Sequence, residues 1–174
     1  MRNGWFHRET APETNEEDST VHGVVEEIEN LTRDFILRRL SQELKGHLFA
    51  ESVAHLLQAV GYRIRVSAQG PDGGVDIIAH RYELGFEPPI IKVQVKSMDG
   101  NIGRPTIASL LNTLGTGECG LIVTLGGLTA EARTFARGKG NLRLIDSEDL
   151  VNLVLSHYEQ FDASYTSVWQ VESA

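Results

Sequence analysis

The stretch from Asp72 to Lys96 constrains the fold more than any other part of the chain. It reads Asp72-Gly73-Gly74-Val75-Asp76-Ile77-Ile78-Ala79, a polar interval, then Ile91-Lys92-Val93-Gln94-Val95-Lys96. Asp-Gly is a strong hairpin turn signal, and a glycine pair takes the positive φ angles of tight turns, so the chain can reverse just before Val75. Asp76 is then read inside an apolar strand. Downstream, Ile91, Val93 and Val95 alternate strictly with Lys92, Gln94 and Lys96, and a period of two puts the two sets on opposite sheet faces. Gln94 and Lys96 therefore point the same way. An acid on one strand, beside an amide oxygen and an ammonium on its neighbour, is a set that phosphodiester hydrolysis can use. The acid holds a divalent cation, and the lysine orients water or stabilises developing charge. Spacing alone favours the plainer reading, a solvated sheet face with a turn acid at its edge.

The rest of the chain supplies the partners such strands need. Residues 1–18 are polar and acid-rich, with Trp5 and Phe6 as the large apolar groups, and read as a flexible terminus. Residues 19–44 read as one amphipathic helix, capped by Ser19 or Thr20 and carrying Ile28, Leu31, Phe35, Ile36 and Leu40. It covers the core or, alternatively, pairs with a second copy or another partner. A second helix spans about Gly46 to Val60, with Phe49, Val53, Leu56, Leu57 and Val60 in one stripe and Gly61 ending it. His47, Glu51, His55 and Gln58 fall on its other side, without the order of a zinc helix. Strands follow at Tyr62 to Ala68, Val75 to His80 and Ile90 to Ser97. Arg63 and Arg65 on the first of these can meet a phosphate backbone or serve as plain edge charges. Pro105 opens a helix to about Leu114. Gly120 to Leu125 is a run buried on both faces, Thr129 caps a helix to Arg137, Asn141 to Ile145 is a strand, and Ser147 caps a last helix. Strands followed by helices imply an α/β fold with a mixed sheet flanked by helices.

Composition sets limits on partners. The 174 residues are 41% hydrophobic and 23% charged, ordinary for one globular domain. A net charge of -8 argues against strong unaided binding to nucleic acid. Half of that excess lies early, since residues 1–40 hold nine acids against five bases and residues 41–174 hold fifteen against eleven. Cys119 is the only cysteine, which excludes an internal disulfide and a cysteine-based zinc site, and burial is expected where it precedes an apolar strand. No apolar run reaches the roughly 20 residues of a membrane span. A cytoplasmic protein with no membrane association is expected.

Blocks on both sides of Asp76, Gln94 and Lys96 extend a resemblance beyond the motif. Phe49, Val53, Leu56, Leu57, Gly61 and Tyr62, then Gly103-Arg104-Pro105, Gly120-Leu121-Ile122-Val123-Thr124, Thr129-Ala130-Glu131-Ala132 and Leu144-Ile145-Asp146 stand in one order. The chain resembles, over residues 45 to about 155, the catalytic core of the Mrr-like restriction endonucleases. These form a branch of the PD-(D/E)XK nucleases in which Gln often replaces the second acid. The resemblance implies a restriction-endonuclease-like three-layer sandwich over residues 45–158, with 159–174 as a tail onto which Phe161, Tyr165 and Trp169 confer some docking. It also implies a metal-dependent endonuclease of DNA, with Asp76, Gln94 and Lys96 catalytic and a metal held by Asp76, Gln94 and the Val95 backbone carbonyl. Hard oxygen ligands favour Mg²⁺, with Mn²⁺ substituting. Asp72 remains a turn residue. Gly73 and Gly74 allow close approach of the scissile phosphate, and Arg63, Arg65, Lys92 and Arg104, with Lys139, are the expected backbone contacts. A homodimer and a separate DNA-reading or NTPase partner are the implied assemblies. The alternative is a catalytically weak DNA-binding or effector module. One departure bears on that choice: Ala50 stands where many relatives carry a helix glutamate, and Glu51 is one residue late.

Overall fold

A computed structural model describes residues 16–42, 44, 46–67, 74–98 and 100–161. The expectations for Trp5, Phe6, Asp72, Gly73, Tyr165 and Trp169 lie outside these residues. The elements run α1 (Glu16–Gln42), α2 (His47–Ala59), β1 (Arg63–Val66), β2 (Ile77–His80), β3 (Ile90–Lys96), α3 (Arg104–Asn112), β4 (Glu118–Thr124), α4 (Ala130–Arg137), β5 (Leu142–Ile145) and α5 (Ser147–Ser156), closed by a short 3₁₀ turn, η1 (Tyr158–Gln160). The sheet order is β1-β2-β3-β4-β5. β1, β2 and β3 pair antiparallel, whereas β3, β4 and β5 pair parallel. Parallel neighbours need a crossover, and α3 and α4 supply the two that this order requires.

Strand alternation divides the core in two. Ile77, Ala79, Val93, Leu121 and Val123 face a cluster closed by Ile36 and Leu40 of α1, Phe49, Val53 and Leu56 of α2, and Leu150, Val151 and Val154 of α5. Ile122 and Leu142 face the opposite cluster, with Ile107 and Leu110 of α3 and Ala132 of α4. This is the expected α/β three-layer sandwich, and the two-sided burial of β4 explains its nearly continuous apolar run.

Several local expectations change. Asp76 lies just ahead of β2 and not within it. Ser19 and Thr20 fall inside α1, which begins at Glu16, so neither caps it. Asp146, and not Ser147, caps α5, its side chain accepting from Asp149 N–H at 3.1 Å. Cys119 is already inside β4 and only partly buried. Thr129 does cap α4, accepting from Ala132 N–H at 3.1 Å. Only the C-terminal part of α1 covers the core, because Ile28, Leu31 and Phe35 are exposed. Among the described residues no helix is long and apolar enough to cross a membrane.

Candidate active site

The site begins with an unequal pairing of strands. β2 pairs with β3 only as far as Ile77 opposite Val93, yet β3 continues to Lys96. Past that point the β2 side of β3 has no strand partner among the described residues, and Asp76 takes its place. Its N–H donates to the Val93 carbonyl at 2.9 Å, although Ile77 is already the register partner of Val93. Two residues thus oppose one, which is the arrangement of a β-bulge and re-aims the side chain. The Asp76 carbonyl accepts from Ser67 N–H at 2.8 Å, anchoring the backbone from the β1 side. The carboxylate then turns onto β3, where Oδ2 accepts from Val95 N–H at 2.7 Å. It is thereby fixed on the β3 backbone at Val95. Oδ1 accepts no hydrogen bond from the described residues.

Successive peptide groups of a strand point to opposite neighbours. The Lys96 carbonyl accepts from Leu125 N–H at 3.1 Å, toward β4. The Val95 carbonyl is therefore directed to the other side, the one on which Asp76 sits.

Gln94 pairs with Ile122 of β4 and is 4% exposed. Its Oε1 is buried and has no hydrogen-bond partner among the described residues. A buried acceptor left unmade costs about 1–3 kcal/mol, so its retention calls for a donor or cation to be supplied. Gly74 sits directly against this amide. It has φ +83°, and a Cβ built on it would overlap Gln94 Nε2. The observed contact of Gly74 is thus with the Gln94 side chain.

Lys96 shares the Gln94 face, is half-buried, and makes no ion pair among the described residues. The end of β3 that carries it is tied down from two directions. Gly46 N–H, at the start of α2, donates to Ser97 Oγ at 3.2 Å. The loops after β3 and β4 are zipped together by Ile102 N–H to Gly127 carbonyl at 2.9 Å and Thr129 N–H to Ile102 carbonyl at 3.1 Å. Gly126 completes that closure, since any Cβ there would overlap the Gly100 carbonyl. Sequence reasoning treated Gly126-Gly127 only as the end of a strand. Two adjacent glycines directly after a buried strand were the available signal for a tight loop contact.

The expected phosphate contacts separate. Lys92 is withdrawn from that set, because its Nζ meets Glu118 Oε2 at 2.7 Å and donates to the Thr113 carbonyl at 2.6 Å, with both side chains about four-fifths buried. Arg63 pairs with Glu83 at 2.7 Å on the exposed edge. Arg104 stacks on the Phe135 ring at 4.8 Å and approaches Glu131 at 3.6 Å, and Lys139 lies over the same ring at 5.4 Å. Arg65 is exposed and has no ion pair among the described residues. Exposed pairs such as Arg63–Glu83 hold their partners weakly and can be exchanged for phosphate.

Burial by itself pushes the Glu118 carboxyl up, but the Gly115 N–H and the Lys92 ammonium outweigh it and leave the group below the ordinary carboxylate range. Asp146 is lowered in the same way, burial being offset by Asp149 N–H and Arg133. A depressed folded pKa adds stability above the ordinary value, and that stability is lost as pH falls through the folded one. Urea unfolding midpoints are therefore expected to drop between pH 7 and about pH 3, and to drop less in Glu118→Gln. An unchanged pH slope in that variant would remove the pair from the acid response.

Helix α2 shows the departure at residue 50 in structural terms. Ala50 is buried at 7% exposure, while Glu51 is about half exposed and pairs with His47 at 3.2 Å. Among the described residues no group of three or more His, Cys, Asp and Glu side chains gathers at one point.

Comparison with known proteins bears on the family and the fold. A family model described as Mrr_cat, restriction endonuclease, matches residues 41–154. The type IV methyl-directed restriction enzyme EcoKMrr of Escherichia coli (strain K12) is 29% identical over 147 residues, covering 80% of this chain and 47% of that protein. Among solved structures, the MspJI restriction endonuclease in complex with a 27-mer oligonucleotide has a TM-score of 0.61 at 20% identity, over 78% of this chain and 35% of the other. The DNA modification-dependent restriction endonuclease AspBHI has a TM-score of 0.60 at 18% identity, over 79% and 39%. The chain thus spans half or less of the length of these relatives. With its match covering well over half of the sequence, the chain belongs to the Mrr catalytic family of restriction endonucleases.

Proposed function

We propose that this chain is a metal-dependent nuclease domain that hydrolyses DNA phosphodiester bonds in the restriction of foreign DNA, in the cytoplasm. The observation that carries the reading is the Asp76 carboxylate docked on the β3 backbone at Val95, on the strand that carries Gln94, whose buried Oε1 has no partner among the described residues, and Lys96, which has no ion partner among them. Membership of the family supports it independently.

The donor set fits a hard divalent cation. Asp76 Oδ1, Gln94 Oε1 and the Val95 carbonyl offer three oxygens and a single negative charge, suited to Mg²⁺ with Mn²⁺ as substitute. Bound there, such an ion supplies a polarised phosphoryl oxygen and a water of lowered pKa. The protein's own part is positional. Val95 N–H fixes the Asp76 carboxylate, which leaves its second oxygen directed to ligand. Gln94 contributes an acceptor without adding repulsion against the phosphate. Lys96 Nζ orients the attacking water or stands against the charge that develops on the phosphoryl oxygens. Arg65 and Arg104 hold the flanking backbone, Arg63 joins them by exchanging Glu83 for phosphate, and DNA binding is weak and salt-dependent in a chain of net charge -8.

Ala50 favours a second reading, in which the fold serves as a DNA-binding or effector module with little cleavage of its own. Its methyl group is buried on α2 at the position where the resemblance implies a metal-binding glutamate, and Glu51 is about half exposed and paired with His47. Titrating Mg²⁺ and Mn²⁺ against plasmid cleavage separates the two. Cleavage that is silent in chelator, unaffected by Glu51→Ala, and shifted to lower metal concentration by Ala50→Glu is the expected result. Absence of cleavage at every metal concentration would leave the effector reading, and collapse of activity in Glu51→Ala would place Glu51 on the metal.

A further inference from the structure

Helix α1 carries two apolar stripes, and only one is used. Ile36, Leu37 and Leu40 pack on the core. Val21, Val24, Ile28, Leu31 and Phe35 step by three and four residues along another line and are between 38% and 63% exposed. At about 100° per residue the two stripes lie roughly 145° apart. From Val21 to Leu31 every residue is exposed, yet all are helical. A lone helix without tertiary packing is marginal in water, and a contiguous exposed apolar line marks a covered surface.

The three-and-four spacing is that of a coiled-coil seam, with Val21, Ile28 and Phe35 at a, and Val24 and Leu31 at d. Val21 and Ile28 at a with Leu31 at d match the choice of a parallel two-stranded coil, whereas Val24 at d and Phe35 at a depart from it. The flanking charges agree. Glu27 and Asp34 both take position g, so an antiparallel pair would set acid against acid, whereas a parallel pair sets Glu27 against the partner's Thr32. We propose that α1 pairs with α1 of a second copy as a parallel coiled coil, holding two nuclease units at the same end of the seam. The consequence rests on the endonuclease reading: one site cleaves one strand, and two sites side by side cut both strands of a duplex.

Sedimentation equilibrium of the chain tests the pairing without reference to cleavage. The mass is expected to rise from 19.2 kDa to twice that value with concentration, and to stay at 19.2 kDa in Ile28→Glu/Leu31→Glu. Those side chains are exposed, and an unchanged melting temperature of the dilute protein verifies that the core is intact. In a Cys119→Ser background, Val24→Cys is expected to form a disulfide between copies on mild oxidation, since a parallel seam places like residues opposite. A monomer at all concentrations, or a dimer indifferent to Ile28→Glu/Leu31→Glu, would overturn the proposal. A dimer that persists without the Val24→Cys crosslink would overturn its parallel form. If cleavage is present, the monomeric variant is expected to nick plasmid and not linearise it. Failure of cleavage alone leaves the mass result standing.

Discussion

Lys96→Ala is expected to slow plasmid cleavage by about 10²-fold to 10³-fold with little change in stability, the loss typical of removing one group that stabilises transition-state charge. Two lysines stand on the same face of one strand. Lys92 is engaged by Glu118 and the Thr113 carbonyl and is largely buried. Lys92→Met would strand the largely buried Glu118 carboxylate, so its effect belongs to stability. Lys96 has no ion partner among the described residues and shares its face of β3 with Gln94, whose buried Oε1 accepts no hydrogen bond among them. Its removal strands nothing, so its effect belongs to rate. Single-turnover cleavage and thermal melting measured on both variants check the division. Equal rates for wild type and Lys96→Ala would attribute the cleavage to another nuclease, and a rate loss confined to Lys92→Met would exchange the two roles. Asp76→Asn is expected to match Lys96→Ala in rate while also weakening the bond from Val95 N–H, which loses a charged acceptor.

The contrast between these lysines marks how far the sequence could be read. Period-two alternation places Lys92, Gln94 and Lys96 on one face, and the structure agrees. Alternation cannot say which of them is engaged, because Glu118 and Thr113 come from elements more than twenty residues later that only the sheet order brings to Lys92. The buried β4 strand was legible because a strand covered on both faces leaves no polar positions. The cap of α5 was missed by one residue, since Asp146 and Ser147 are both good caps and only the backbone decides between them. Asp76 was assigned to a strand on composition, and the two-against-one pairing at Val93 displaced it to the strand's mouth. That displacement frees its carboxylate to reach Val95 N–H. The apolar residues of α1 were read as one face, although Ile28 and Leu31 sit far around the helix from Leu40. The orphaned Gln94 oxygen had no sequence signal, because satisfaction of a hydrogen bond depends on everything folded around it.

Gly74→Ala is expected to lower the cleavage rate by about 10²-fold, the order of loss for displacing a positioned group by roughly 1 Å. Gly74 has φ +83°, where a non-glycine residue is strained by about 1–2 kcal/mol. Its Cβ position overlaps the Gln94 side-chain nitrogen, so the amide must move. Gln94 is held in a nearly closed space, 4% exposed, with Ile122 beside it on β4, so relieving the overlap displaces the amide that carries Oε1. Strain alone would lower the melting temperature without touching chemistry in proportion. Displacement of the amide lowers the rate at saturating DNA. A double-mutant cycle separates the two, because Gly74→Ala can cost nothing further in rate once Gln94→Ala has removed the group being displaced. The expected cycle is strongly non-additive in rate and close to additive in stability. Equal rate losses from Gly74→Ala in the wild-type and Gln94→Ala backgrounds would mean that Gly74 acts on the DNA directly and not through the glutamine.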